Sequence, residues 1–172
     1  MSLSFFSPPP LPNDEAKRQH AVDRSGILRA PPDPALQAIV ARAADLFGSA
    51  IAAVSIVDRQ RQWFAARIGL DAPETSRAVS FCAHAILDPQ RVMVIEDATL
   101  DDRFAGNPLV TGAPAIRFYA GASILDPRGR PLGALCAIDP EPRSGTLPLD
   151  ELAALAGEVA AIIAEIGTTS EA

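Results

Sequence analysis

The amino-acid sequence predicts an α+β domain, an α/β sandwich in which helices pack on an antiparallel sheet, and three observations lead there. Ala50 to Val57 (AIAAVSIV) is apolar on both faces, as a central strand covered from both sides must be. Two pairs of strand-like runs are joined by short turns, Asp58 to Arg61 and Asp126 to Gly129, so those neighbours run antiparallel. The element order helix, helix, strand, strand, helix, strand, strand, strand, helix sets hairpins among helices, unlike a doubly wound parallel fold.

The chain of 172 residues has room for one domain with a real core. Apolar residues make up 48% and charged residues 21%, ordinary values for a globular protein. A formal charge of −6 argues against an electrostatic grip on phosphate backbones, and Arg59, Arg61, Arg67, Arg77, Arg91, Arg103 and Arg117 are scattered rather than clustered. They read as solvated or paired, and no nucleic-acid partner is expected. No apolar run approaches the ~20 residues that span a bilayer, so no membrane association is expected either. The start, MSLSFFSPPPLPNDE, lacks the basic and apolar regions of a secretory signal. Two cysteines, Cys82 and Cys136, are too few for a disulfide framework and fit a reduced, cytoplasmic protein.

Residues 1–12 hold four prolines and no periodic apolar pattern, and are expected to form a poorly ordered arm. Asn13 is placed to cap a helix through about Ser25, with Ala16, His20 and Val22 on one side, and Gly26 ends it. APPDP (Ala30 to Pro34) is a rigid connector that closes on an N-cap, Asp33, followed by a first-turn proline. From Pro34 to Phe47 the residues Leu36, Ile39, Val40, Ala43, Ala44 and Phe47 recur at helical spacing, and Gly48 closes the helix. Gln62 to Ile68 returns from the central strand, with the mixed pattern of an edge. Gly69 to Ser76 reads as a loop. Ser80 caps a short helix through Leu87, which Asp88-Pro89 stops. Val92 to Ile95 is a short buried strand, and Thr99 to Gly112 is mostly loop, with Asp101 capping a turn that contains Phe104. Phe118 to Leu125 and Pro131 to Ile138 form a hairpin, and Pro131 is tolerated at a strand's first residue. Pro148 to Ile166 is a long helix striped by Leu152, Leu155, Val159, Ile162, Ile163 and Ile166, and residues 167–172 are a tail. One domain over residues 13–166 follows.

Chemistry concentrates in RAVSFCAHAIL (Arg77 to Leu87), which holds one of the two cysteines and one of the two histidines. Cys82 and His84 lie two apart, with no CxxC or HxxxH spacing to His20 or Cys136, so the ligand count is against a metal site. A Cys82–His84 nucleophile pair is chemically conceivable. The plainer reading makes Cys82 a small buried residue in a pocket wall and His84 a histidine bonded to a backbone carbonyl. EDATLDDR lacks the alternating carboxylates of a calcium loop. There Asp101 reads as a cap, and Asp97 or Asp101 pairs with Arg117 or Arg103 to tether the loop. Tyr119, Gly121 and Ser123 share one strand face, and the small residues leave room beside the ring for a bound molecule or a crossing helix. No GxGxxG, P-loop, HExxH or GxSxG motif occurs.

Five blocks together resemble the GAF family of small-molecule sensor domains, in the bacterial subgroup fused to histidine kinases and diguanylate cyclases. They are IVDRQRQWFAARIGLDAPETSR (Ile56 to Arg77), SFCAHAIL (Ser80 to Leu87), VIEDATLDDRFAGNPLVTG (Val94 to Gly112), IRFYAGASI (Ile116 to Ile124) and PLGALCAIDPEPR (Pro131 to Arg143). With the helical lead-in from Asn13, the resemblance covers nearly the whole chain. It implies a central antiparallel sheet of five or six strands, helices on one face that commonly dimerise, and a ligand pocket on the other. The pocket residues it implies are Phe81, Cys82, His84, Asp97, Phe104, Asn107, Ile116, Phe118, Tyr119 and Cys136.

The resemblance implies a non-enzymatic sensor or small-molecule-binding module in signal transduction, with no catalytic residue, no metal and an unidentified ligand. Its expected partners are a second copy of the chain and a separate histidine kinase or cyclase, since no output module follows. The NKFDE-type motif of the family's cyclic-nucleotide binders is absent, and Cys82-Ala83-His84 matches neither the spacing nor the region of a bilin attachment site. Two alternatives stay open: a thiol-dependent reductase using Cys82, similar to the family's free methionine sulfoxide reductases, and a structural dimerisation domain without ligand. Against the first, Ile116-Arg117-Phe118 stands where the catalytic cysteine is expected.

Overall fold

A computed structural model of the chain describes residues 5–170. Its elements follow in order as α1 (Glu15–Ser25), α2 (Pro34–Phe47), β1 (Ile51–Asp58), β2 (Arg61–Ile68), β3 (Glu74–Ser76) and α3 (Phe81–Ala85), then β4 (Met93–Ile95), α4 (Pro108–Thr111), β5 (Phe118–Leu125), β6 (Pro131–Asp139) and α5 (Leu149–Ser170). The six strands form one antiparallel sheet in the order β3-β2-β1-β6-β5-β4, the expected α+β architecture.

The alternation of side chains along the central strands divides the interior in two. Val54 and Ile56 of β1, Phe118, Ala120 and Ile124 of β5, and Leu135 and Ala137 of β6 face α1, α2 and α5 in one core. Ile51, Ala53, Val57, Tyr119, Ala134, Cys136 and Ile138 face α3 and α4 in a second. β1 is therefore buried along its whole length, as a strand covered on both faces requires. The helix core is closed by α2, whose six periodic residues are all buried. Its start is set by the Asp33 side chain, which accepts from the Ala35 N–H at 2.8 Å, and its end by Gly48 at φ 58°. A glycine suits that left-handed position because a Cβ would strain it.

Four expectations change. β2 is not an edge: β3, expected as loop, pairs with it at Arg61–Ser76 and Trp63–Glu74 and covers it. The register of β2 on β1 slips between Val54 and Ser55, so Gln62 and Phe64 face the second core while Ala66 and Ile68 turn to the helices. Helix α1 starts one residue later than expected, at Glu15 with Asp14 at the cap position, and buries Arg18, Ala21 and Val22 in place of Ala16 and His20. The final helix runs to Ser170, through most of the expected tail. Leu149–Thr169 is long and apolar enough, by length and composition alone, to cross a membrane; its Leu152, Leu155, Val159 and Ile163 lie in the helix core. Of the expected arm, residues 1–4 lie outside the described ones. From Phe5 to Pro12 the chain has no regular structure, but Ser7 N–H donates to Arg103 O and Gly106 N–H to Phe5 O, both at 2.9 Å.

Arg18 is buried because its charge is answered from several sides. Its guanidinium donates to Glu15 Oε2 at 2.8 Å and Oε1 at 3.0 Å, to Val57 O at 2.7 Å and to Pro131 O at 3.2 Å. Arg77, also buried, donates through Nη1 to Glu15 Oε1 and to Arg59 O. One carboxylate thus joins α1, the β1 and β6 ends and the approach to α3. Burial alone would raise the Glu15 carboxyl; hydrogen bonds and charge from Arg18 and Arg77 outweigh it and hold the carboxyl at about 2.

Replacing the carboxylate leaves two buried guanidinium groups without their counter-charge, so Glu15→Gln is expected to destabilise the fold by about 3 kcal/mol at neutral pH. The unfolded carboxyl titrates near its ordinary 4.5 and the folded one at about 2, so the contribution is whole above pH 4.5 and drains away as pH falls toward 2. Denaturant melts of both proteins across that window are expected to converge at its acid end.

Candidate functional site

The second core is incomplete. Between the sheet and α3 lies a cavity of about 260 Å³, open at one side. Its floor is Phe64 of β2, Tyr119 of β5, and Cys136 and Ile138 of β6. Phe81 and Cys82 of α3 form the roof, Leu109 of α4 and the Ala113–Ile116 segment form a wall, and Gly69–Ala72 with Thr75 form the rim.

Short-range capping builds the roof. Ser80 Oγ accepts from the Ala83 N–H at 3.0 Å to start α3, and the same hydroxyl donates to Gln62 Oε1 at 2.7 Å. Ser55 Oγ donates to that oxygen at 2.8 Å, and Gln62 Nε2 donates to Thr75 Oγ1 at 2.9 Å. Asn107 Oδ1 accepts from Leu109 N–H at 2.9 Å to start α4, while its Nδ2 donates to Val79 O at 3.1 Å and so ties α4 to α3. Aromatic contacts then stack outward from the floor. Tyr119 lies 5.3 Å from Phe81, Phe81 stacks on Phe104 at 4.1 Å, and His84 meets the Phe104 edge at 4.8 Å.

The ten expected residues separate accordingly. Phe81, Cys82, Ile116, Tyr119 and Cys136 line the cavity. Phe104, His84 and Asn107 are buried behind the lining and hold it in place. Asp97 sits apart: its Oδ1 accepts from Thr99 N–H at 3.0 Å, capping the turn at Ala98–Leu100. Phe118 points to the opposite face, 5.8 Å from Phe47 and under the Arg143 guanidinium, because neighbouring strand residues alternate. Asp101 pairs with Arg103 at 2.9 Å, while Arg117 donates to the carbonyls of Val110 and Ile116. Sequence reasoning missed Gln62, Phe64, Leu70, Leu109 and Ile138. The common face of Gln62 and Phe64 at a spacing of two was the available signal, and the slip after Phe64 masked it.

The thiols are not arranged as a nucleophile pair. His84 Nε2 bonds Ser7 O at 3.0 Å, which assigns the ring proton to Nε2 and commits it to that carbonyl. Burial and the nearby Arg103 charge lower the His84 pKa, so the ring stays neutral near pH 7. Cys82 Sγ instead accepts from Tyr119 Oη at 3.0 Å, with Cys136, whose thiol donates to Ala53 O at 3.7 Å, and Ser55, whose hydroxyl donates to Gln62, as further polar neighbours. Burial opposes the Cys82 thiolate, but the polar groups of Cys136, Tyr119 and Ser55 around it outweigh burial and bring its pKa down; the neighbouring Cys82 sulfur and burial push the Cys136 thiol well up, and burial does the same to Tyr119. Cys82 is 2% exposed, so the arrangement is a polar seam beneath the cavity. The expected space beside Tyr119 is filled by its own ring: a Cβ on Gly121 would stand 2.1 Å from Tyr119 Oη.

Comparison with known proteins places these features. The family model described as GAF domain matches residues 31–166. The chain is 48% identical over 160 residues to Cyclic di-GMP phosphodiesterase PA2567 of Pseudomonas aeruginosa; that match covers 93% of this chain and 27% of the relative. The chain thus spans about a quarter of the curated relative it matches. Among solved structures, the GAF domain of an Acinetobacter phosphoenolpyruvate-protein phosphotransferase is similar with a TM-score of 0.64 at 16% identity, over 91% of this chain and 98% of that one. A type II free methionine-R-sulfoxide reductase of Thermoplasma acidophilum gives 0.61 at 12% identity, over 87% and 96%. At those identities the structures bear on the fold alone.

Gly121→Ala is expected to drive the Tyr119 ring off the sheet and cost about 2 kcal/mol. Tyr119→Phe keeps the ring, loses only the bond to Cys82 and is expected to cost about 1 kcal/mol. Urea melts of the two variants give the order. Equal stabilities would place the ring elsewhere.

Proposed function

The chain belongs to the GAF domain family, and we propose that it is a non-enzymatic sensor whose ligand enters the cavity between α3 and the sheet. The observation that carries this reading is the cavity itself, enclosed by Phe64, Phe81, Leu109 and Ile138 around a floor whose polar groups are already bonded to one another. A catalytic reading needs a base beside Cys82, and its polar neighbours are Tyr119, Cys136 and Ser55. The kinship at 48% identity with a protein named for cyclic di-GMP phosphodiesterase activity supports a regulatory place in signal transduction for this module, with the output carried elsewhere. Two free thiols fit a reducing, cytoplasmic setting.

Filling the cavity is the direct test. Leu109 is half-buried at the wall, and Leu109→Trp adds bulk inward while leaving the helix core intact. Native mass spectrometry of purified wild-type protein is expected to show a copurified small molecule or an adduct from a metabolite panel, lost in Leu109→Trp. An unchanged adduct in that variant, or none across the panel, defeats the ligand assignment.

Dimerisation through α5 belongs to the same reading. Leu155, on the apolar stripe of α5, is spent in the chain's own core, and the outward face presents Ala153, Ala154, Gly157 and Ala161 exposed. Sedimentation velocity at micromolar concentration is expected to show a dimer, and Ala154→Glu with Ala161→Glu a monomer. A monomeric wild type removes the claim.

A further inference from the structure

Resting on the sensor reading, we propose that the cavity takes an uncharged, largely apolar molecule of bicyclic size carrying one hydrogen-bond acceptor, and excludes phosphate esters and other anions. Size comes first. A dry cavity of about 150 Å³ accommodates benzene, so the 260 Å³ here suits a body of roughly ten non-hydrogen atoms. That is far smaller than a dinucleotide or a tetrapyrrole.

Charge decides the class. Among the described residues, no lysine, arginine or histidine lines the cavity, and its one ionisable carboxylate is Asp71 at the rim. At the rim, Arg67 is spent on backbone carbonyls, donating from Nε to Leu70 O at 2.9 Å and from Nη2 to Asp71 O at 3.4 Å, and does not itself line the cavity. A phosphate or carboxylate inside would be desolvated without a counter-charge and pass an aspartate on entry, an arrangement that costs several kcal/mol. Cyclic di-GMP, the molecule in the name of the Pseudomonas aeruginosa relative, is therefore excluded from this cavity by chemistry as well as by size.

The polar handle is equally narrow. Both lone pairs of Gln62 Oε1 are met by Ser55 and Ser80, and one Nε2 hydrogen goes to Thr75. A carboxamide nitrogen has two hydrogens, so one N–H remains on a side chain that lines the cavity and is 5% exposed. It offers a donor to a carbonyl or ether oxygen, beside the hydroxyl hydrogen of Thr75 at the rim. Phe64, Phe81 and Tyr119 supply ring faces for the rest of the molecule.

Coumarin, a neutral bicyclic lactone, and coumarin-3-carboxylate form a matched pair of probes, with cyclic di-GMP as a third. Calorimetric titration of the wild-type protein is expected to give a Kd for coumarin at least tenfold below that of the carboxylate, and no heat with cyclic di-GMP. Leu109→Trp is expected to weaken coumarin at least tenfold. Asp71→Lys, on the exposed rim, is expected to tighten the carboxylate several-fold relative to coumarin. Tighter binding of the carboxylate or of cyclic di-GMP than of coumarin, lost in Leu109→Trp, overturns the ligand class and leaves the sensor reading standing. Coumarin binding that ignores Leu109→Trp, or absent at millimolar concentration, also overturns the class. The sensor reading falls separately, on the copurified mass.

Discussion

Every other feature depends on a sheet whose β1, β6 and β5 are buried on both faces. A strand in that position has no solvent side, so its alternation sorts residues between two interiors. The helix side is filled by Phe47, Leu36, Leu152 and Val159. The other side has only short elements to cover it, α3 and α4, and two short helices cannot fill the space a long one would. The cavity is the consequence. Its position was set once the long helices were all committed to one face.

Polar groups follow the same division. On the cavity side, Ser55, Gln62, Ser80 and Thr75 satisfy one another, and Tyr119 satisfies Cys82, so burial leaves little unmet demand for water. The sharpest local conflict lies at the rim of the sheet, where Arg77 is buried with its Nη2 unpartnered among the described residues, although Nη1 is well bonded. The Glu15 carboxylate tolerates two guanidinium groups because it draws one from each side, and that shared charge holds α1 against the sheet.

Much of this was readable from residues alone. The caps of α2, Asp33 and Gly48, and the bounds of β5 follow from local chemistry, which the tertiary structure leaves intact. Burial of Arg18 was not readable, because its partners, Val57 and Pro131, are distant in sequence and supply only backbone oxygens. The role of Gln62 stayed hidden for a related reason: a register slip in β2 leaves no compositional trace. Gly121 misled in a more instructive way. Small residues beside an aromatic do make room, but the ring nearest to that room is the one that takes it. The family resemblance found the wall residues Phe81, Cys82 and Ile116 and, because it treats adjacent strand positions alike, swept in Phe118 from the far side.

The N-terminal contacts carry a meaning for where the folding unit begins. The family model starts matching at residue 31, yet Ser7 bonds both His84 and Arg103, and Glu15 and Arg18 fasten α1 to strand ends and to Arg77. A fragment cut at residue 31 would retain every residue of the recognised pattern and lose the brace on its cavity roof. The family model and the packing therefore draw different borders on this chain. Residues 5–30, ahead of the family model, behave as a clasp, by which a common scaffold is held in one particular shape.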